Sequence, residues 1–195
     1  MSYIMKIFLT FFVLFFSSSV MADDISDFQI EGMSIGDSLL DYFSEEKINN
    51  NTINEFFDYD SENTYITFLT EDTNFLKVYD KLLVHIKNKD NNFIIFSLQG
   101  IINLDIENCE KNKKKISKEL SIIFKNTKKN MFNNQKMTGD DTGQSFYSGE
   151  YFEFLTGGIA GVYCYDWSNN APQYSDNLRV ALYSSDFETY LMNIY

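Results

Sequence analysis

Few residue types in this chain are suited to catalysis, and their supply excludes several reactions. His85 is the single histidine, and Cys109 and Cys164 are the only cysteines. Zinc sites built from several His and Cys ligands lie beyond that supply. Thiol–disulfide catalysis lacks the CxxC spacing that activates a thiol. A His-based nucleophile triad needs His85 beside an activated Ser or Cys. In the run from Val78 to Lys87, however, His85 alternates with Lys81, Leu83 and Lys87, opposite Leu82, Val84 and Ile86. That parity predicts an exposed, structural histidine.

Carboxylates are plentiful, so a paired-carboxylate hydrolase stays open as a rival reading. Asp58, Asp60 and Glu62 alternate, and Asp140 and Asp141 lie between Gly139 and Gly143. The spacing of Asp58 to Glu62 matches the start of a calcium loop, but Asn63 stands where such a loop needs glycine and Leu69 where it needs an acid. A solvated acidic loop is the reading, with no metal ligand and no cofactor assigned.

The cysteines point to a bond rather than to a reaction. Ala160, Val162 and Cys164 share one face of a strand-like run, and Cys109 falls on the apolar side of a helix-like one, so a single packing brings the two sulfurs together. Pairing closes a loop of about 55 residues, worth about 4 kcal/mol by chain entropy. Around Cys164 the aromatics alternate. Tyr163, Tyr165 and Trp167 share the opposite face, and the preceding run puts Tyr147 and Tyr151 on one side and Phe146, Phe152 and Phe154 on the other. A tyrosine-rich sheet face left open would dock a hydrophobic or sugar ligand or a protein partner. The competing reading has the terminal helices packed there.

The start of the chain has the form of a secretory signal. Lys6 precedes an apolar run from Ile7 to Phe16 interrupted only by Thr10, and Val20 and Ala22 occupy the small-residue positions before a cut. Residues 1–22 are read as a signal peptide and residues 23–195 as a single exported domain, periplasmic or secreted. An apolar run of ten falls short of the roughly 20 residues of a membrane span, so no stable span is expected after cleavage. Oxidising compartments favour the disulfide. The net charge of −12 repels phosphate, which excludes nucleic acid as a partner of the overall field. Lysine makes up all but one of the 16 basic residues, Arg179 being the exception, and asparagines cluster. Both biases suit an AT-rich coding sequence.

The run IEGMSIGDSLLDYFSEEKI, from Ile30 to Ile48, resembles the opening of uncharacterised secreted proteins of marine bacteria, which implies a family without assigned chemistry. Gly32-Met33-Ser34 ahead of a Leu-bearing segment is similar to the start of the small outer-membrane assembly lipoproteins related to BamE. The chain has no lipobox cysteine and no Leu-Gly-x-Pro after that segment, and no function is carried over.

Elements follow from periodicity. Asp27 to Glu31 reads as a short strand. Ser34 with Asp37 reads as a helix cap ahead of Ile35, Leu39, Leu40 and Phe43. Glu45 to Glu62 reads as a loop with a turn of helix. Period-two runs at Tyr65 to Thr70, Val78 to Lys87 and Phe93 to Leu104 predict three antiparallel strands, the last two joined by the turn residues Asn88 to Asn92. Ile106 to Lys129 predicts a long helix with Cys109, Ile116, Leu120, Ile123 and Phe124 inward, Lys111, Lys114, Lys115, Lys118, Lys125 and Lys129 outward, and Lys113 snorkelling from the apolar sector. Asn130 to Gln144 reads as a loop. Strands follow at Ser145 to Leu155, Ile159 to Trp167 and Leu178 to Ser184, then a short helix capped by Ser185 and Glu188. The expected fold is α+β: an antiparallel sheet of about six strands, one long helix on a face, and short N- and C-terminal helices. The expected role is non-enzymatic binding or scaffolding, through the sheet face or the lysine side of the helix.

Overall fold

The period of two that begins at Tyr65 builds a sheet, and the period of 3.6 that begins at Ile106 builds the helix dividing that sheet in the chain. The computed structural model describes residues 24–53, 64–137, 140–171 and 174–194. The signal-like segment and Asp58, Asp60 and Glu62 lie outside the described residues. Strands β1 (Thr52–Ile53), β2 (Tyr65–Thr70), β3 (Lys81–Lys87) and β4 (Ile95–Asn103) form one meander, and β5 (Thr127–Lys136), β6 (Phe146–Phe154), β7 (Ile159–Asp166) and β8 (Asn177–Tyr183) form another. The meanders join through their fourth strands, giving one antiparallel sheet in the order β1-β2-β3-β4-β8-β7-β6-β5. The helices are α1 (Glu45–Asn50), α2 (Ile106–Ile123) and α3 (Ser185–Ile194). No helix among the described residues is long and apolar enough to cross a membrane.

Helix α2 starts at Asp105, whose carboxylate accepts from the Asn108 amide at 2.9 Å, filling one of the orphan donors of the first turn. It packs mainly on β7. Cys109 and Cys164 meet there at disulfide distance, sulfurs 1.99 Å and Cα atoms 5.8 Å apart. The helix ends at Phe124, whose backbone leaves helical geometry and whose ring drops among Phe28, Phe152 and Phe154 at 4.3–5.2 Å. The rest of this core face, over β2 to β4, is covered by the N-terminal segment. Met33, Leu39, Phe43 and Ile48 are buried in one cluster with Phe68, Leu82, Val84 and Leu98.

That segment corrects two expectations. No α-helix runs from Ser34 to Phe43; a 3-10 turn at Leu39–Asp41 stands in its place. The reason lies in the backbone. A carbonyl and an amide that a helix would pair internally are joined to residues 93–95, Ile95 N–H to Asp37 O and Leu39 N–H to Phe93 O, and the first-turn amide of Gly36 donates to Ile95 O, all at 2.9–3.0 Å. Burial of Ile35, Leu39 and Phe43 survives, so the apolar spacing was a packing signal without being a helical one. Asp27 to Glu31 is likewise no strand. A 3-10 turn at Ile25–Asp27 leads to a tight reversal closed by an Ile30–Met33 bridge, with Glu31 and Gly32 at φ 53° and 84°. The Glu31 carboxylate then accepts from the Lys77, Val78 and Tyr79 amides at 2.8–3.1 Å. Replacing it, Glu31→Ala, leaves three amides without that acceptor and is expected to cost about 2 kcal/mol, read as a lower denaturant midpoint.

Among the described residues the sheet has eight strands rather than about six, and the helices are not one long helix with short terminal ones. Strand β1, only two residues long, lies inside the stretch expected as loop. Strand β5 replaces the expected loop from Asn130 and the last turn of the expected helix. Its sequence lacks apolar alternation because it is an edge strand, largely exposed, held by pairing with β6. Lysines at 128, 129 and 136 and a register irregularity between Phe132 and Gln135 guard its free edge against further pairing.

Candidate ligand-binding face

Strand parity assigns Tyr147, Tyr151, Tyr163, Tyr165 and Arg179 to the sheet face opposite the disulfide. Tyr147 pairs with Tyr165, Gly149 with Tyr163, and Tyr163 with Arg179 across β6, β7 and β8. Tyr163 is the floor of this face, only 8 % exposed. Its ring lies over Gly149 and Gly161, where a Cβ on either glycine would overlap it. Burial, with the surrounding tyrosines adding to it, pushes its hydroxyl well above the usual tyrosine range.

Above that floor the geometry is regular. The rings of Tyr147 and Tyr165 stack with centroids 5.7 Å apart and planes 17° apart. The Arg179 guanidinium lies 4.0 Å from the Tyr165 ring centre, and its Nε donates to Asn177 Oδ1 at 3.0 Å. Phe132 from β5 packs edge-on against Tyr147 at 5.0 Å and lies 6.4 Å from Tyr151. Tyr147, Tyr151, Tyr165, Phe132 and Arg179 are all half-buried. Among the described residues the rings of Tyr147, Tyr151, Tyr163 and Tyr165 pack with one another, with Phe132 and with Arg179.

Trp167 belongs to a different place. It lies beyond the end of β7, stacks on Tyr174 at 4.1 Å, and its amide donates to Asp176 at 2.8 Å. Both rings line a cleft of about 500 Å³ with Asn103, Asp105 and Asp176. The expected trio is thus divided: Tyr163 buried, Tyr165 on the face, Trp167 in the cleft.

His85 corrects its expectation most sharply. It does point away from Leu82 and Val84, yet it is fully buried, because α3 covers that half of the face. Phe187 packs 4.6 Å from the imidazole and 5.0 Å from Tyr65. The ring's Nδ1 lies 3.1 Å from Ser97 Oγ, a Ser–His pair sealed from solvent on both sides. Burial first, and the Arg179 charge second, lower its pKa from 6.5 to about 3. The helix that covers it is capped by Ser184, whose hydroxyl accepts from Phe187 N–H at 3.2 Å, one residue before the expected cap.

Lys113 does not snorkel. It is 2 % exposed because Glu110 and Ser148 meet it inside: its Nζ donates to Glu110 at 2.7 Å and to Ser148 Oγ at 2.5 Å, and Ser148 donates to Glu110 at 2.5 Å. The hydroxyl proton points at the carboxylate and the lysine donates to the hydroxyl, the reverse of a lysine activating a serine nucleophile. One turn on, Glu150 takes Ser117 Oγ at 2.5 Å and Lys129 at 2.7 Å. Partial burial raises both glutamates, but these hydrogen bonds outweigh it and hold the carboxyls below the ordinary range. Glu110→Gln weakens a charge-assisted contact to a buried lysine, with an expected loss of about 2 kcal/mol in chemical denaturation.

Asp140 is a loop organiser. Its carboxylate accepts from the amides of Thr142, Gln144 and Ser145 and from the Thr142 hydroxyl at 2.7–3.1 Å. Hydrogen bonds from Thr142, despite partial desolvation, hold its carboxyl far below the usual range. Among the described residues no three of His, Cys, Asp and Glu gather as a metal cluster.

The chain matches no family model, no curated protein and no solved structure.

Proposed function

We propose that this is an exported, non-enzymatic binding protein that takes its ligand on the tyrosine face of β5 to β8. One observation carries the reading: the Tyr147–Tyr165–Arg179 group is held by strand pairing and side-chain stacking while lying half-buried, and among the described residues its ring contacts are with strand residues. Aromatic and arginine side chains fixed in this way give large contact area for little loss of side-chain freedom.

The hydrolase reading requires two carboxylates converging on one cavity with their pKa values pushed apart. Glu110 and Glu150 are both lowered. The carboxyl of Asp166 is raised, by partial burial and then by Asp176, and Asp166 lines a cleft of about 270 Å³ beside α2 together with Glu110, but there the Glu110 carboxylate is already taken by Lys113 and the Ser148 hydroxyl.

The binding reading is tested by calorimetric titration against a panel of small organic ligands and oligosaccharides. Tyr165→Ala is expected to keep the fold, because the side chain is half-buried, and to weaken any ligand that binds the wild type by about tenfold, the scale of a lost aromatic contact. Unchanged affinity in Tyr165→Ala would sink the assignment of the site. For the export reading, intact-mass analysis of the protein recovered from cells should show a chain beginning at Asp23.

A further inference from the structure

We propose that Arg179, with the tyrosine edge beside it, is an oxyanion-binding site, so that the ligand of this face carries a carboxylate, phosphate or sulfate group. The inference rests on the binding reading above and adds the ligand's chemical class.

Charge comes first. In a chain of net charge −12 with 28 acidic residues, six of the described lysines are in ion pairs. Arg179, the single arginine, has no carboxylate within 4.0 Å among the described residues. Exposed lysines such as Lys111, Lys115 and Lys118 need no partner, since water solvates them. A half-buried guanidinium against an aromatic ring has lost part of that water, and an anion is what restores the balance.

Geometry comes second. With its central carbon 4.0 Å from the Tyr165 ring centre, the guanidinium engages the face of that ring and not its edge. The edges of Tyr165 and Arg179 bear a phenol hydroxyl and the two Nη groups, none with a hydrogen-bond partner among the described residues. Nε alone is engaged, by Asn177, and this bond fixes the orientation of the fork. An oriented guanidinium with both terminal nitrogens available is the arrangement that takes two oxygens of one oxyanion at once. Phe132 and Tyr151 beside it offer apolar surface to the body that carries the charge.

Because Arg179 is the only arginine, the protein has one arginine Nε–H signal in a ¹⁵N NMR spectrum. Benzoate, phenyl phosphate and benzenesulfonate are titrated in parallel, with benzyl alcohol as the neutral control and ¹³C-tyrosine rings as second reporters. The expected result is a saturable shift of the Arg179 signal with at least one acid and none with benzyl alcohol; which acid binds most tightly distinguishes carboxylate, phosphate and sulfonate chemistry. Arg179→Lys, which keeps the charge but lacks the fork, should weaken that acid by about tenfold in the tyrosine reporters. Equal shifts from benzyl alcohol and the acids, or an Arg179→Lys variant that binds as the wild type does, overturn the inference and leave the binding reading standing. Silence of every reporter with every probe overturns both.

Discussion

Between pH 6.5 and pH 3 the fold is expected to lose about 4–5 kcal/mol through His85 alone. In the folded chain the imidazole is held neutral, its pKa lowered from 6.5 to about 3 by burial beneath Phe187 and then by Arg179. The unfolded chain protonates it near 6.5. Throughout that window the unfolded state binds more protons, so stability rises with pH: the contribution is fully present above 6.5 and declines as pH falls toward 3. Glu110 and Glu150, lowered in the fold, act in the same direction but only below their unfolded values, near 4.5. Asp166 and Glu188, raised by burial and by neighbouring carboxylates, act in the opposite sense. The interval from pH 6.5 to 5 therefore reports mainly on His85. His85→Gln keeps a hydrogen-bonding side chain next to Ser97 and cannot titrate there. Its urea-unfolding free energy should be flat across that interval where the wild type falls by about 2 kcal/mol; parallel slopes in the two proteins would show that His85 is not buried in solution.

Removing the Cys109–Cys164 bridge is the second large effect. The loop spans 55 residues, and chain entropy alone makes its closure worth about 4 kcal/mol. Location adds to the consequence, because the bridge ties α2 to β7, the strand on which the helix mainly packs. The double variant Cys109→Ala, Cys164→Ala should unfold at a much lower temperature and show α2 amides exchanging well before those of β3 and β4. In the wild type both sulfurs are fully buried, so alkylation should find no reactive thiol until the protein is unfolded and reduced. Two thiols reacting without reductant, or a double variant as stable as the parent, would contradict the bridge.

Much of the sheet was legible because its signal is local. The limits of Tyr65 to Thr70 coincide with β2; β3, β4, β6 and β7 fall within the expected runs, and β8 starts one residue before its run, since each has a wet or differently packed side that makes it alternate. What sequence reading lost depended on partners far along the chain. Parity placed His85 on the correct face, but parity does not say which face is dry; that is settled by Phe187, about a hundred residues later. The apolar sector of the helix contained Lys113, yet its fate followed from Ser148, 35 residues away. Strand β5 had no pattern to find, because an edge strand that buries neither side takes its conformation from its neighbour. Ser34 and Asp37 do interact, with the Ser34 amide donating to the Asp37 carboxylate at 2.8 Å, but Ile95 competes for the surrounding backbone and no helix follows.

The candidate site was legible in part. Alternation brought out Tyr147, Tyr151, Tyr163 and Tyr165 together, and it wrongly grouped Trp167 with them, because the strand ends at Asp166. In the sequence Arg179 stands out only as the exception to a lysine bias. A usable signal was present: Asn177 and Arg179 are two residues apart on one strand face, in the run that returns beside the tyrosines.

The most direct test of a binding role for this face is a single spectrum series on tyrosine-ring-labelled protein titrated with a diverse panel of small acids, sugars and aromatic compounds. Trp167 and Arg179, each the sole residue of its type, supply one indole and one guanidinium signal as independent reporters of the cleft and of the face. The expected result is a ligand that shifts Tyr147, Tyr151 and Tyr165 together and leaves the Trp167 indole in place. Ligands that move only Trp167 and Tyr174, or a panel that moves none of these signals, would contradict it.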